Sequence, residues 1–221
     1  MSNAISCSAW QLYVILDRAA AGTRDLVWLA AQAIAGGADV VQLRDKTASA
    51  AQLLQQARAL LQVTRPAGIP LLINDRVDVA VAVEADGVHL GQDDVPIDVA
   101  RRILGAGRIV GKSTHSLEQA VAAEQEGVDY IAVGPIFSTP TKPDYGSVGA
   151  TLIGAVQARV KQPIVCIGGI DQQTVSEVRR AGARCVAVVR AVCAAEDPKA
   201  ATRTLKDLMQ QPHRASASAH L

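Results

Sequence analysis

Several short apolar runs in this chain end abruptly in polar residues that could do chemistry. In Gln42-Leu43-Arg44-Asp45-Lys46, residues 42, 44 and 46 share the parity of an extended strand and can therefore share a face. Gln42 brings an amide suited to a heteroaromatic ring, while Arg44 and Lys46 bring cations suited to phosphate or diphosphate. The same residues can equally be read as a solvated charge run opening a helix. Asn74-Asp75-Arg76 follows the next apolar run without a spacer, and His89-Leu90-Gly91-Gln92-Asp93-Asp94 follows the one after it. Carboxylates at neighbouring strand ends can share a hard cation, and Mg²⁺ takes oxygen ligands together with phosphate and water. Asp75 and Asp94 are the preferred pair, with Asp93 able to assist. Against this stands the plain reading of Asp75 as a helix cap and Asp93-Asp94 as a turn. His89 lies inside a strand and reads as a hydrogen-bonded core residue.

Further along, Gly111-Lys112-Ser113-Thr114-His115 offers Ser113 as a hydrogen-bonding hydroxyl. A serine nucleophile would need a base and an oxyanion arrangement, and no nucleophile-elbow motif supplies them. Gly134 through Lys142 is rich in proline and hydroxyl residues. Thr139 and Thr141 are suited to phosphate, and Lys142 can meet a second charged group. Gly168-Gly169-Ile170 and Val189-Arg190-Ala191 follow the last two apolar runs. They are neither a Walker A nor a dinucleotide fingerprint.

The elements that must position these groups alternate along the chain. Short, continuously apolar runs begin at Leu12, Val40, Leu71, Gly87, Arg108, Tyr130, Ile164 and Cys185, and helical stretches intervene. Continuous apolarity suits strands covered on both faces. Eight such pairs in about 200 residues fit a single-domain α/β fold, the (β/α)8 or TIM barrel, better than an open sheet. In that fold sites lie at the C-terminal ends of strands, and phosphate sites follow strands seven and eight. The barrel is expected over 12–209, with an N-terminal extension over 1–11 and a weakly packed tail over 210–221.

Composition narrows the function classes. Apolar residues make up 49% of the 221, enough for a large core, so intrinsic disorder is excluded for the bulk of the chain. Charge balances to +1, and aromatics are only 3%, which argues against a polyanion binder or a base-stacking platform. The four cysteines form no CxxC pair and suggest neither a zinc site nor a disulfide framework. No apolar run is long enough to span a bilayer, and the first residues lack a secretory pattern. A cytoplasmic location is the expectation from these absences. The oligomeric state is left open, a homo-oligomer included, and neither nucleic acid nor membrane is expected as a partner.

Six of the stretches above, in order and on successive strand ends, resemble the thiamine-phosphate synthase family, and the resemblance runs from about Leu12 to Met209. It implies condensation of 4-amino-5-hydroxymethyl-2-methylpyrimidine diphosphate with 4-methyl-5-(2-hydroxyethyl)thiazole phosphate, giving thiamine phosphate and diphosphate with Mg²⁺ as cofactor. It places Gln42, Arg44, Lys46, Asn74, Ser113 and Lys142 on the pyrimidine diphosphate, and Asp75 and Asp94 on the metal. Arg44, Lys46, Ser113 and Lys142 are the catalytic set it implies. Thr139, Thr141, Gly169 and the backbone at Val189-Arg190 fall on the thiazole phosphate. The family often has serine at the position of Arg190. Two alternatives are a thiazole tautomerase of the same superfamily, which resembles the synthase with histidine in place of Ser113, and a non-catalytic phosphate-ligand binding protein. Ser113, Asp75, Asp94 and Lys142 favour the synthase over both.

Overall fold

A computed structural model describes residues 6–139 and 146–211. Eight parallel strands close into a barrel in sequence order, β1-β2-β3-β4-β5-β6-β7-β8, with β8 paired back to β1. The strands are β1 Leu12–Asp17, β2 Val40–Arg44, β3 Leu71–Asn74, β4 Gly87–Leu90, β5 Ile109–Thr114, β6 Tyr130–Val133, β7 Ile164–Ile167 and β8 Cys185–Val188. The helices are α1 Arg18–Ala21, α2 Leu26–Gly36, α3 Ala50–Thr64, α4 Val77–Val83, α5 Ile97–Leu104, α6 Leu117–Gln125, α7 Thr151–Gln157, α8 Val175–Arg180, α9 Arg190–Cys193 and α10 Pro198–Gln210.

Two apolar layers follow from strand alternation. Leu12, Val14 and Leu16 of β1, with Val41 and Leu43 of β2, face outward into the layer shared with the helices. Their neighbours Tyr13, Ile15 and Val40 face the barrel axis, with Leu72, Ile109, Tyr130, Val165 and Cys185. The expected extension contributes to this inner layer, because Cys7 and Trp10 are buried beneath it. A short 3-10 turn, Cys7–Ala9, delivers Trp10 to the barrel floor, where its ring meets Tyr130 edge-on at 5.5 Å and Tyr13 at 6.0 Å.

Local signals account for most helix boundaries. Ser49 and Gln52 form a reciprocal capping box at the start of α3, and Gly37 ends α2 in the left-handed conformation. Three features add to the alternation of runs and helices. Strand β5 runs on past Gly111 to Thr114, placing Ser113 within the sheet beside Ala132. The short helix α1 starts directly after β1 because Asp17 caps it, accepting from the Ala20 N–H at 2.8 Å. The turn α9 follows β8 at Val189. Helix α10 reaches Gln210, and residues 212–221 of the expected tail lie outside the described residues. All four cysteines are buried and free. Among the described residues no helix is long and apolar enough to cross a membrane.

Candidate active site

The strand ends that carry the unusual polar residues open into one cavity of about 510 Å³. Its wall includes Gln42, Arg44, Asn74, Ser113, Thr139, Gly169, Val189 and Arg190, so eight of the sequence-selected site residues converge there. His89, His115 and Ser138 share the wall with them. This size is within the ordinary range for a small-molecule site.

Register explains much of the convergence. Strand β1 pairs with β2 so that Ile15 lies beside Gln42 and Asp17 beside Arg44. The Arg44 guanidinium therefore donates directly to the Asp17 carboxylate, which is 3% exposed. With one oxygen on Arg44 and the other on the Ala20 N–H, Asp17 orients the guanidinium and starts α1 in a single side chain. Asp17 was not among the residues selected from sequence. Only the β1–β2 register reveals its partner.

Asp75, Asp94 and Lys46 stand together beside the cavity wall. Lys46 Nζ donates to Asp75 Oδ2, and the Asp75 and Asp94 carboxyl groups are close enough to act on each other electrostatically. Asp94 also accepts from the Gly91 N–H at 2.6 Å. Burial, and then the Asp75 carboxyl, raise the Asp94 pKa from its ordinary value, an effect that the Gly91 N–H and then Lys46 oppose. Asp75 has φ 61, a left-handed conformation that Asp tolerates better than most residues. Two carboxyl groups brought together at a strained position are a donor set suited to a hard divalent cation completed by phosphate and water. Among the described residues no group of three or more acidic, histidine or cysteine ligands forms a metal cluster, so this pair would depend on such completion. Asp93 is exposed.

At β5 the alternation separates neighbours. Ser113 faces the cavity, whereas Lys112 turns outward to Glu126 at 2.6 Å. His115 reaches the wall and bonds through Nδ1 to the Gly134 carbonyl oxygen. Within the barrel His89 lies between Tyr130, 2.8 Å from Nδ1, and Ser113, 2.8 Å from Nε2. The core reading of His89 holds, but the residue also faces the cavity.

Gly169 lines the wall and also serves packing. A Cβ there would lie 2.7 Å from Phe137 Cβ and 2.9 Å from the Ser138 carbonyl oxygen. What comes close to Gly169 is the segment after β6, and its φ of 62 independently favours glycine. The glycine thus lets the β6 and β7 loops pack together at the wall. Thr141 and Lys142 lie outside the described residues.

The sequence model of the thiamine monophosphate synthase family matches residues 12–192, the whole strand set that builds this cavity. The chain belongs to that family. Thiamine-phosphate synthase from Roseiflexus castenholzii is 49% identical over 201 residues, covering 90% of this chain and 88% of that protein. The Xanthobacter autotrophicus thiamine-phosphate synthase is 50% identical over 196 residues, covering 88% and 93%. Among solved structures, thiamine phosphate pyrophosphorylase from Pyrococcus furiosus superposes with a TM-score of 0.84 at 38% identity, covering 91% of this chain and 96% of that one. A 3-hexulose-6-phosphate synthase, at 20% identity and a TM-score of 0.67, shares the fold. The family model thus spans all eight strands and the cavity, and the two relatives cover 88–90% of the chain.

Proposed function

We propose that this chain is a thiamine-phosphate synthase, joining 4-amino-5-hydroxymethyl-2-methylpyrimidine diphosphate to 4-methyl-5-(2-hydroxyethyl)thiazole phosphate with release of diphosphate. The observation that carries the reading is the cavity itself. An amide, a guanidinium and a hydroxyl from β2 and β5 face it, beside an acidic pair and a lysine, in a chain belonging to the family.

The residues divide the work as follows. Gln42, Asn74 and Ser113 bind and orient the aminopyrimidine end. Arg44, already aimed by Asp17, and Lys46 meet the diphosphate, with Lys142 joining them from the β6 loop. Thr139, Thr141, Gly169 and the Val189-Arg190 backbone hold the thiazole phosphate, and the Arg190 guanidinium adds a cation where the family often has serine. Asp75 and Asp94 would hold Mg²⁺, which when bound supplies positive charge to the leaving diphosphate. As the bond from the pyrimidine methylene to diphosphate lengthens, negative charge grows on the phosphate oxygens, and the fixed cations stabilise it most at that stage. The electron-rich aminopyrimidine delocalises the charge left on the methylene, and the thiazole nitrogen attacks it. No protein nucleophile is required, so positioning and electrostatics carry the reaction. The wall around Ile15, Ile167 and Ala187 keeps water from competing with the thiazole.

The test is diphosphate release measured with both substrates and Mg²⁺, then with each omitted in turn. Release that depends on all three supports the reading. Release without the thiazole phosphate would mean hydrolysis, and isomerisation of a thiazole without diphosphate release would favour the tautomerase.

A further inference from the structure

A single file of hydrogen-bonded side chains crosses the barrel interior, and the proposed reaction leaves its middle members without a role. Gln42 Nε2 donates to Tyr13 Oη. Tyr13 Oη lies 3.1 Å from Tyr130 Oη, which lies 2.8 Å from His89 Nδ1, and His89 Nε2 lies 2.8 Å from Ser113 Oγ. None of the five is more than 9% exposed. Gln42, His89 and Ser113 reach the cavity wall, whereas Tyr13 and Tyr130 belong to the floor cluster with Trp10. The tyrosine rings meet each other at 6.0 Å, and Tyr130 stacks on the His89 ring at 5.6 Å.

Counting protons orders this file. A phenol or a hydroxyl has one hydrogen to give, and a neutral imidazole has one N–H. Burial pushes both phenols well above their usual pKa, so each keeps its proton. Gln42 gives an N–H to Tyr13, so the Tyr13 proton passes on to Tyr130 and the Tyr130 proton to His89 Nδ1. The imidazole must then carry its own hydrogen on Nε2 and donate it to Ser113 Oγ. The serine proton has no place left in the file and turns to the cavity.

We propose that Tyr13 and Tyr130 are positioning residues that hold His89 as the Nε2–H tautomer and, through it, make Ser113 a hydrogen-bond donor to the substrate. Gln42, with one N–H committed to Tyr13, keeps its carbonyl oxygen as an acceptor for the same ligand. The two ends of the file therefore offer opposite hydrogen-bonding character, which suits an aminopyrimidine with an amine donor and ring-nitrogen acceptors. This last consequence rests on the proposed reaction; the order of the protons does not. Turning the Gln42 amide over would reverse every bond, place the imidazole hydrogen on Nδ1 and make Ser113 an acceptor. The tautomer of His89 is thus a direct readout of direction.

The experiment is nitrogen NMR of the full chain labelled at its four histidines, with the His89 signals assigned by their loss in His89→Asn. The expected wild-type result is a neutral ring with its hydrogen on Nε2 and a bare Nδ1. In Tyr130→Phe, which keeps the ring packing, the single tautomer is expected to give way to a mixture, with kcat/KM for the pyrimidine diphosphate falling about tenfold. A wild-type Nδ1–H tautomer, an imidazolium, or an unchanged tautomer in Tyr130→Phe would overturn the proposal. The wild-type spectrum decides the direction even if the variant fails to fold. Absence of diphosphate release by the wild type would instead defeat the reaction and leave the tautomer to stand or fall on the spectrum.

Discussion

The two ends of the barrel interior are built on the same strands and solve opposite problems. At the floor, Trp10, Tyr13 and Tyr130 interlock edge-to-face at 5.5–6.0 Å, closing the barrel with a buried aromatic plug. At the mouth, Gln42 and Arg44 of β2 and Ser113 of β5 line a cavity of about 510 Å³, with Asp17 at the end of β1 holding Arg44 from behind. Packing at the floor removes apolar surface from water, whereas the mouth keeps charges in place at some cost to folding and returns it as binding. Changes to the packing at the floor should therefore appear first in stability, and changes at the mouth first in turnover.

The sharpest way to break this division is Trp10→Ala. It removes the plug, and is expected to cost about 4 kcal/mol of stability, as large-to-small core substitutions do. Urea denaturation would measure it, and a loss below 1 kcal/mol would mean the floor is not held by the ring. Asp94→Ala tests the other end, with turnover expected to fall on the order of a hundredfold through loss of a metal oxygen. Its urea midpoint should stay close to that of the wild type. Near-normal turnover with unchanged Mg²⁺ dependence would remove Asp94 from the site.

Gly111→Ala probes where the two ends meet. A Cβ at Gly111 would lie 2.0 Å from Tyr130 Cζ and 2.5 Å from its Oη, so the tyrosine must move. Overpacking of this kind is expected to cost about 2 kcal/mol. Because Tyr130 also contacts His89, kcat/KM should fall beyond what the folded fraction explains. Turnover per folded molecule equal to wild type would show that floor and mouth are independent. Ser49→Ala, on the outer ring, provides the smallest effect and the control for both. Losing the α3 cap should lower stability by about 1 kcal/mol, with activity per folded molecule unchanged.

Much of this molecule was legible in order along the chain. The eight apolar runs became eight strands because burial on both faces demands continuous hydrophobicity, a requirement visible within four or five residues. Ser49 before α3 and Gly37 after α2 worked as caps for equally local reasons, since they satisfy backbone groups one turn away. The polar residues selected at strand ends largely converged, because a parallel barrel brings all its strand ends to one rim.

What required tertiary structure was every property set by a partner distant in sequence. Nothing near Asp17 reveals that it meets Arg44, because that contact depends on the register of β1 on β2. Tyr13 and Tyr130, separated by 117 positions, read as core aromatics until closure joins them to Gln42 and His89. That Gly169, at the cavity wall, is also where the β6 and β7 loops pass each other shows only once those loops are packed. Cys7 and Trp10 lay in what read as an extension, before the barrel had a floor for them to fill. Periodicity and capping are short-range and can be read along a chain. Which side chains meet across a closed barrel is decided by register and closure, and these exist only once all eight strands are paired.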